Sequence, residues 1–219
     1  QDRIKGCFRL PTVKDKNVYV IPMSGGLDSF CTAFVMLHLF PKSPFTFVHA
    51  DTGVEAKGTE EYLDKFEVLT GRKIIKLRPK KDLFTQIESH GNFLPSQRAR
   101  SCTQSMKTKP ISTFYKALIQ KLGPETVIYN FVGIRADEPS RTGIEWKEDN
   151  IASVFPLAEL GIKKADVNAI VQNIIGIPDY YLNKSRSGCE VCIFSRRSEI
   201  ISAWEKSPET LTRAANMEE

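Results

Sequence analysis

Val18-Tyr-Val-Ile-Pro-Met-Ser-Gly-Gly-Leu-Asp-Ser29, continued by Phe30 to Phe40, is the stretch on which the reading of the fold turns. Val18 to Ile21 are uncharged β-formers and read as a buried strand. Leu27, Phe30, Cys31, Phe34 and His38 recur at i, i+3, i+4 spacing, the mark of one helix face. Between strand and helix lie Ser24, Gly25, Gly26, Leu27, Asp28 and Ser29. A helix start carries unpaired backbone N–H groups and partial positive charge, so it attracts anions. Two glycines let the backbone approach a ligand closely, and two serines add hydroxyl donors. Together these suit a pyrophosphate. A plain strand-to-helix turn capped by Ser or Asp is the simpler alternative. The Gly-Lys-Ser/Thr ending of a Walker loop is absent, which excludes an ordinary P-loop NTPase.

At 219 residues the chain can bury a full core, and one domain with a small appendage is expected. The expected division is an N-terminal extension over 1–17, a nucleotide-binding domain over 18–160, and a helical, cysteine-bearing region over 161–219 packed on that domain. With 41% hydrophobic and 26% charged residues the composition is that of a globular protein, not of a disordered or fibrous one. No apolar run reaches membrane-span length and no signal peptide is visible, so a cytoplasmic protein is expected. The chain opens at Gln1 without a methionine, so a few residues are expected to precede it. A net charge of +5 permits a polyanionic partner without demanding one. Five cysteines are an odd number, and in a reducing compartment they read as core, metal or catalytic residues, not as a disulfide framework.

Further strands are expected at Phe45–Ala50, Lys73–Leu77 and Thr126–Gly133, with helices at Glu60–Leu69, from Asp82 to about Ser89, at Ile111–Leu122 and at Asp166–Ile175. The helix at 111–122 would place Phe114, Leu118 and Leu122 on one side. The helix at 166–175 would turn Val167, Ile170, Val171 and Ile174 inward. Val154-Phe-Pro-Leu157 reads as a short edge strand, where proline is tolerated. Helices close the chain from about Glu199 and from Pro208. Strands alternating with helices predict an α/β fold: a Rossmann-like, open, mostly parallel twisted sheet with helices on both faces. In such sheets ligands sit at the carboxyl ends of the strands, and an acid after the second strand can hold a ribose hydroxyl. Asp51, followed by Thr52 and Gly53, occupies that place. The loop after the strand at 126–133 crowds Arg135, Asp137, Glu138 and Arg141 at a strand's carboxyl end.

Five strings in order carry a resemblance. They are Ser24 to Ser29, His49-Ala-Asp-Thr-Gly-Val-Glu55, Cys102-Thr-x-x-x-Lys107-x-x-Pro110, Gly133-Ile-Arg-Ala-Asp-Glu-x-Ser-Arg141, and Ser185-Arg-x-Gly-Cys-x-x-Cys192. The chain resembles the phosphoadenosine phosphosulfate reductase-like branch of the PP-loop, or N-type, ATP pyrophosphatases, whose fold is that of the adenine nucleotide alpha-hydrolases. Within it, the likeness is greatest to the pyrophosphatase of DNA phosphorothioation and to phage and bacterial relatives. The resemblance implies ATP and Mg²⁺. Ser24, Gly25, Gly26, Leu27, Asp28 and Ser29 would hold phosphates. Asp51 and Thr52 would lie near the adenosine, and Gly133 and Arg135 would complete the nucleotide site. The implied catalytic set is Asp28, Arg135, Asp137, Arg141 and Cys102, with Asp137 or Glu138 helping to hold Mg²⁺. A substrate oxygen would attack the α-phosphorus, and the adenylylated oxygen would then leave as sulfur enters.

Cys189-x-x-Cys192 can bring two thiolates to one metal. Cys102 is remote in sequence, but its loop belongs at the same sheet edge. Three thiolates fit a [4Fe–4S] cluster with one open iron. Zn²⁺ with a fourth ligand such as Cys7 or a histidine, a redox dithiol, and inert buried thiols are the alternatives. Lys80, Lys81, Arg98, Arg100, Lys107, Lys109, Arg186, Arg196 and Arg197 gather around the same loops and can follow a nucleic-acid backbone, or simply form a solvated basic rim. The leading expectation is therefore an enzyme that adenylylates a substrate, a nucleic acid or nucleotide, for sulfur transfer, with a sulfur-donor protein or oligomer as further partners. A sulfonucleotide reductase competes with it. Against that stand the intact Ser-Gly-Gly-x-Asp-Ser loop and a carboxyl end, Arg-Ala-Ala-Asn-Met-Glu-Glu219, that lacks the reductases' Glu-Cys-Gly-Leu-His-type string. A non-catalytic, metal-stapled ATP-binding module is the third reading.

Overall fold

The computed structural model describes residues 8–11, 16–185 and 188–218. Cys7 and Arg186 lie outside the described residues. Five strands, β1 (Asn17–Pro22), β2 (Phe45–Ala50), β3 (Ile74–Leu77), β4 (Val127–Phe131) and β5 (Ile151–Val154), form one sheet in the order β3-β2-β1-β4-β5. Every pairing is parallel. The expected Rossmann-like α/β class is the one observed. Strands of such a sheet are covered on both faces, so they read as apolar runs rather than as alternating ones. In β1, Tyr19 and Ile21 join one core, while Val20 points to the other.

The larger core lies under α1 (Leu27–Leu39), α2 (Thr59–Thr70) and α7 (Lys164–Ile174), and is built on Phe30, Phe47, Tyr62 and Phe66. The smaller one gathers Val20, Val48, Ile128 and Ile151 around Tyr115 of α5 (Lys109–Leu122). Tyr115 is fully buried, and its hydroxyl donates to Asn130 Oδ1 at 2.7 Å, so this polar pair is satisfied inside the core. A third cluster joins α3 (Leu83–Glu88) to Val54 and Met106, with Cys102 and Cys189 packed against it. Among the described residues, no helix is long and apolar enough to cross a membrane.

Several expectations need correction. Val154–Leu157 is not one strand: β5 ends at Val154, and Pro156 opens the short helix α6 (Pro156–Glu159). Proline lacks the N–H a strand would use, but the first helical turn does not need it. His38 is exposed, while Ala33 and Met36 are buried instead, because α1 packs against both the sheet and α7. Ile174 is 45% exposed and Leu122 39% exposed, each in the last turn of its helix and beyond the reach of the core. The segment around Cys102, read as a loop, is helical: α4 (Ser101–Thr103) passes through a π turn, Gln104–Thr108, into α5. Pro110 explains the wide turn, since it offers no N–H and crowds the carbonyl four residues back.

The strand order reverses between β1 and β4, which are neighbours but not consecutive. This switch point leaves a crevice at the carboxyl edge between the loops that follow those two strands. One of those loops is Met23–Gly26, and the other begins at Val132.

Candidate functional site

The first loop is held from beneath. Met23 N–H donates to Val48 O at 2.7 Å, and the buried His49 brings Nδ1 to 2.6 Å from Met23 O. A carbonyl only accepts, so that contact holds the Nδ1–H tautomer. Gly25 stands at φ +76°, and a Cβ there would lie 2.9 Å from Thr59 Cγ2, so glycine is required twice over. Ser29 is buried: its hydroxyl donates to Gly26 O at 2.7 Å and accepts from Ser24 N at 3.2 Å. It braces the turn. Neither serine nor aspartate caps α1. The cap is Gly26, with no side-chain cap hydrogen bond, so the helix mouth keeps its anion-attracting character.

The second loop closes on the first. A Cβ on Gly133 would lie 2.8 Å from the backbone C and O of Asp28. That absence of a side chain lets Arg135 reach across: its Nη1 donates to Asp28 Oδ1 at 2.9 Å and Oδ2 at 2.8 Å, and its Nε to Asp137 Oδ1 at 2.9 Å. Glu138 lies 3.4 Å from Arg135 Nη2 and accepts from Arg141 Nη1 at 2.8 Å. Burial pushes the Asp28 carboxyl above its usual range, with the Arg135 guanidinium opposing. Burial would lower the Arg135 pKa, but Asp28 and Asp137 outweigh it and keep the guanidinium charged. Asp28, Arg135, Asp137, Glu138 and Arg141 thus form one alternating network. Asp137 and Glu138 are both paired with arginines, so Mg²⁺ would have to take them from those partners.

Asp51 sits at the end of β2 as expected, where its Oδ1 accepts from Gly53 N at 2.8 Å and its Oδ2 pairs with Arg78 Nε at 3.0 Å. Thr52 turns the other way. Its buried hydroxyl donates to Glu55 Oε1 at 2.9 Å and lies 3.2 Å from Cys189 Sγ. The cysteine loop is stitched to this segment. Ala56 N donates to Gly188 O, Glu190 N to Val54 O, and Glu55 bridges Cys189 in antiparallel fashion.

Cys102, Cys189 and Cys192 all act on one amine. Burial alone would lower the Lys107 pKa, but Glu55, 3.7 Å away, and then the three sulfur groups outweigh it and raise it. Burial, reinforced by Glu55, raises the Cys189 thiol. Glu55 Oε2 is buried with no hydrogen-bond partner. Thiols are the donors an iron–sulfur or zinc centre uses, and Glu55 leaves one buried carboxylate oxygen without a partner beside them. Among the described residues, however, no three His, Cys, Asp or Glu side chains are gathered tightly enough to hold an ion, and Lys107 supplies the local positive charge.

Two residues escaped the sequence reading. Tyr180 Oη donates to Gly25 O at 2.5 Å, and Tyr181 Oη accepts from Leu27 N at 3.1 Å. Both stand in a 3₁₀ turn, Asp179–Leu182, more than 150 residues from the loop they hold. Their only trace in the sequence is a tyrosine pair following the helix stop Gly176-Ile-Pro178. On the rim, Lys80, Lys81, Arg98, Arg100, Lys109, Arg196 and Arg197 are exposed, and the Arg100 guanidinium lies 5.1 Å from the Phe194 ring centre.

The family model for the phosphoadenosine phosphosulfate reductase domain matches residues 18–174. A phage relative, the "Uncharacterized 37.8 kDa protein in gpa 5'region" of Escherichia phage 186, is 27% identical over 97% of this chain and 76% of its own length. Among solved structures, phosphoadenylyl-sulfate reductase from Candida auris in its phosphate complex aligns with a TM-score of 0.56 and 16% identity, covering 81% of this chain and 82% of that one. The U34-tRNA thiolase NcsA from Methanococcus maripaludis, with its [4Fe–4S] cluster, aligns with a TM-score of 0.55 and 13% identity, covering 99% of this chain and 76% of that one. At such identities the two structures share the fold with this chain.

Proposed function

Because this chain belongs to the phosphoadenosine phosphosulfate reductase domain family, we propose that it is a PP-loop ATP pyrophosphatase that adenylylates a substrate for sulfur transfer. The observation that carries the reading is the mouth of α1, where Gly26 brings no side-chain cap of its own, facing the arginine loop across the switch point. The backbone of Gly25 and Gly26 and the hydroxyl of Ser24 receive the terminal phosphates of ATP. Arg135, already charged and held by Asp28, swings toward the triphosphate, with Arg141 behind it. Asp51 stands by the adenosine. A substrate oxygen attacks the α-phosphorus, the bond from that phosphorus to the α,β-bridging oxygen breaks, and pyrophosphate leaves into the loop. Such catalysis is positioning and charge neutralisation more than covalent chemistry by side chains.

Cys102, Cys189 and Cys192 would have to draw closer together to hold an iron–sulfur cluster, which would supply an iron able to carry sulfide to the activated carbon. The thiol loop and the phosphate loop are close in the fold. Thr59 touches the Gly25 position, Thr59 N donates to Ala56 O, and Ala56 N donates to Gly188 O. The exposed basic rim favours a nucleic acid as the acceptor. The test is pyrophosphate release from ATP and Mg²⁺ with mixed DNA and tRNA as acceptor. Asp28→Ala is expected to lower it by about 100-fold or more, and turnover that survives the change would sink the assignment. A sulfonucleotide reductase remains the second reading, favoured by the family model itself. Sulfite release from a sulfonucleotide, without any ATP requirement, would select it.

A further inference from the structure

The Asp179–Leu182 turn touches the phosphate loop at two points of opposite sense. Tyr180 Oη donates to Gly25 O, which fixes the glycine turn in shape. Tyr181 Oη accepts the Leu27 N–H, which is one of the donors a phosphate at the mouth of α1 would use. Tyr180 is itself buried and packed, with its ring 6.3 Å from Tyr62 and 5.3 Å from Tyr181. The same turn leads directly into the cysteine loop. Lys184 Nζ donates to Cys189 O at 3.2 Å, and Ser185 is fixed by Glu199 through its N–H and hydroxyl, both at 2.7 Å.

We infer that Tyr180 and Tyr181 are positioning residues of the nucleotide site, and that phosphate binding is transmitted to Cys189 and Cys192 through the turn they share. The inference rests on the reading of Ser24–Ser29 as a nucleotide-phosphate site. It assigns the two neighbours opposite roles. Tyr180 holds the loop in its binding shape. Tyr181 competes with phosphate for Leu27 N–H and is released when the anion arrives. The element with two states is therefore the Tyr181 hydroxyl, on or off α1, and both sites bias it. Released, the turn loosens its grip on Lys184 and so on the carbonyl of Cys189. The cysteines would then open to the acceptor only after ATP is in place.

The test uses the full chain, freed of metal by chelation, with MgATP as the probe. Two quantities are read: ATP affinity, and the alkylation rate of each cysteine resolved by mass. In the wild-type protein, saturating ATP is expected to raise the rates at Cys189 and Cys192 by about threefold or more, while the fully buried Cys31 stays unreactive as the internal control. Tyr181→Phe keeps the ring and removes the hydroxyl. It is expected to tighten ATP binding about threefold and to abolish the response at the cysteines, which react at the ATP-bound rate throughout. Tyr180→Phe is expected to weaken ATP binding by about threefold to tenfold. A purely structural role for both tyrosines would weaken binding in both variants, and that result overturns the assignment. ATP that binds but leaves the thiol rates unchanged overturns the coupling alone. No ATP binding by the wild-type chain overturns the nucleotide site and the inference with it.

Discussion

Gly133 shows how much of the site rests on single residues. Its backbone is not in the left-handed region, so glycine is not needed there for torsional freedom. It is needed for space, because any Cβ meets the Asp28 carbonyl carbon and oxygen at 2.8 Å. Those are backbone atoms of a helix start and cannot swing aside as a side chain would. Gly133→Ala must push β4's exit loop away from α1 and stretch the Arg135–Asp28 pairing. The expected cost is about 1–3 kcal/mol of stability, as for other overpacked sites, with a fall in ATP affinity larger than that loss of stability accounts for. Denaturant unfolding and ATP titration on the same sample would check it. Unchanged affinity would mean that the arginine loop does not serve the nucleotide. Cys31 gives the opposite lesson. It lies on α1 little more than one turn from the loop, in neither a metal nor a catalytic setting, and burial, helped by Asp28 and Asp166, pushes its thiol up to about 12.

At the scale of elements, what was legible before the fold was known was what is local and repetitive. β1, the glycine turn and α1 could be read because a doubly covered strand is an unbroken apolar run and a helix start has its own vocabulary. Asp82 was legible as a cap, and its side chain accepts from Thr85 N. Inward faces near helix ends were not, because Ile174 and Leu122 obey the period but outrun the core. The tyrosine turn was not legible either, since its partners are set by tertiary contact. Helix α8 (Arg197–Lys206) joins both kinds of information. Glu199 sits in its first turn and accepts from Arg196 N at 2.8 Å, a capping pattern, but it also takes Ser185 N and Oγ from the cysteine loop. Burial would raise its carboxyl, and these hydrogen bonds outweigh that and hold it below its ordinary 4.5. A depressed carboxyl stabilises the fold above its unfolded value and loses that contribution as pH falls through the folded one. Glu199→Gln is therefore expected to cost about 1 kcal/mol near neutrality, and the gap to wild type should close as the pH drops below 4.5. Unfolding curves for both proteins over that range would show it. A gap that persists in acid would mean that packing, not charge, is what Glu199 contributes.

For the whole molecule, the question is whether the thiol site and the phosphate site depend on each other to form. The phosphate loop is braced by Ser29, His49, Tyr180 and the Arg135 network, and none of these bonds involves a cysteine side chain. The cysteine loop, in turn, is stitched to residues 54–56 mainly through backbone hydrogen bonds, which survive the loss of a thiol. Each site should therefore be removable on its own. Protein purified without oxygen is expected to carry iron and sulfide. Cys189→Ala should lose that iron while ATP affinity stays within about twofold, because the turn that joins the sites holds Cys189 by its backbone carbonyl, which alanine keeps. Metal and sulfide analysis together with the visible spectrum decides the matter. Zinc without sulfide would recast the three cysteines as a staple that fixes the carboxyl-terminal helices, and the sulfur would then have to arrive on a partner. Iron that is retained in Cys189→Ala would remove that residue from the ligand set and leave its contact with Thr52 as its role in the fold.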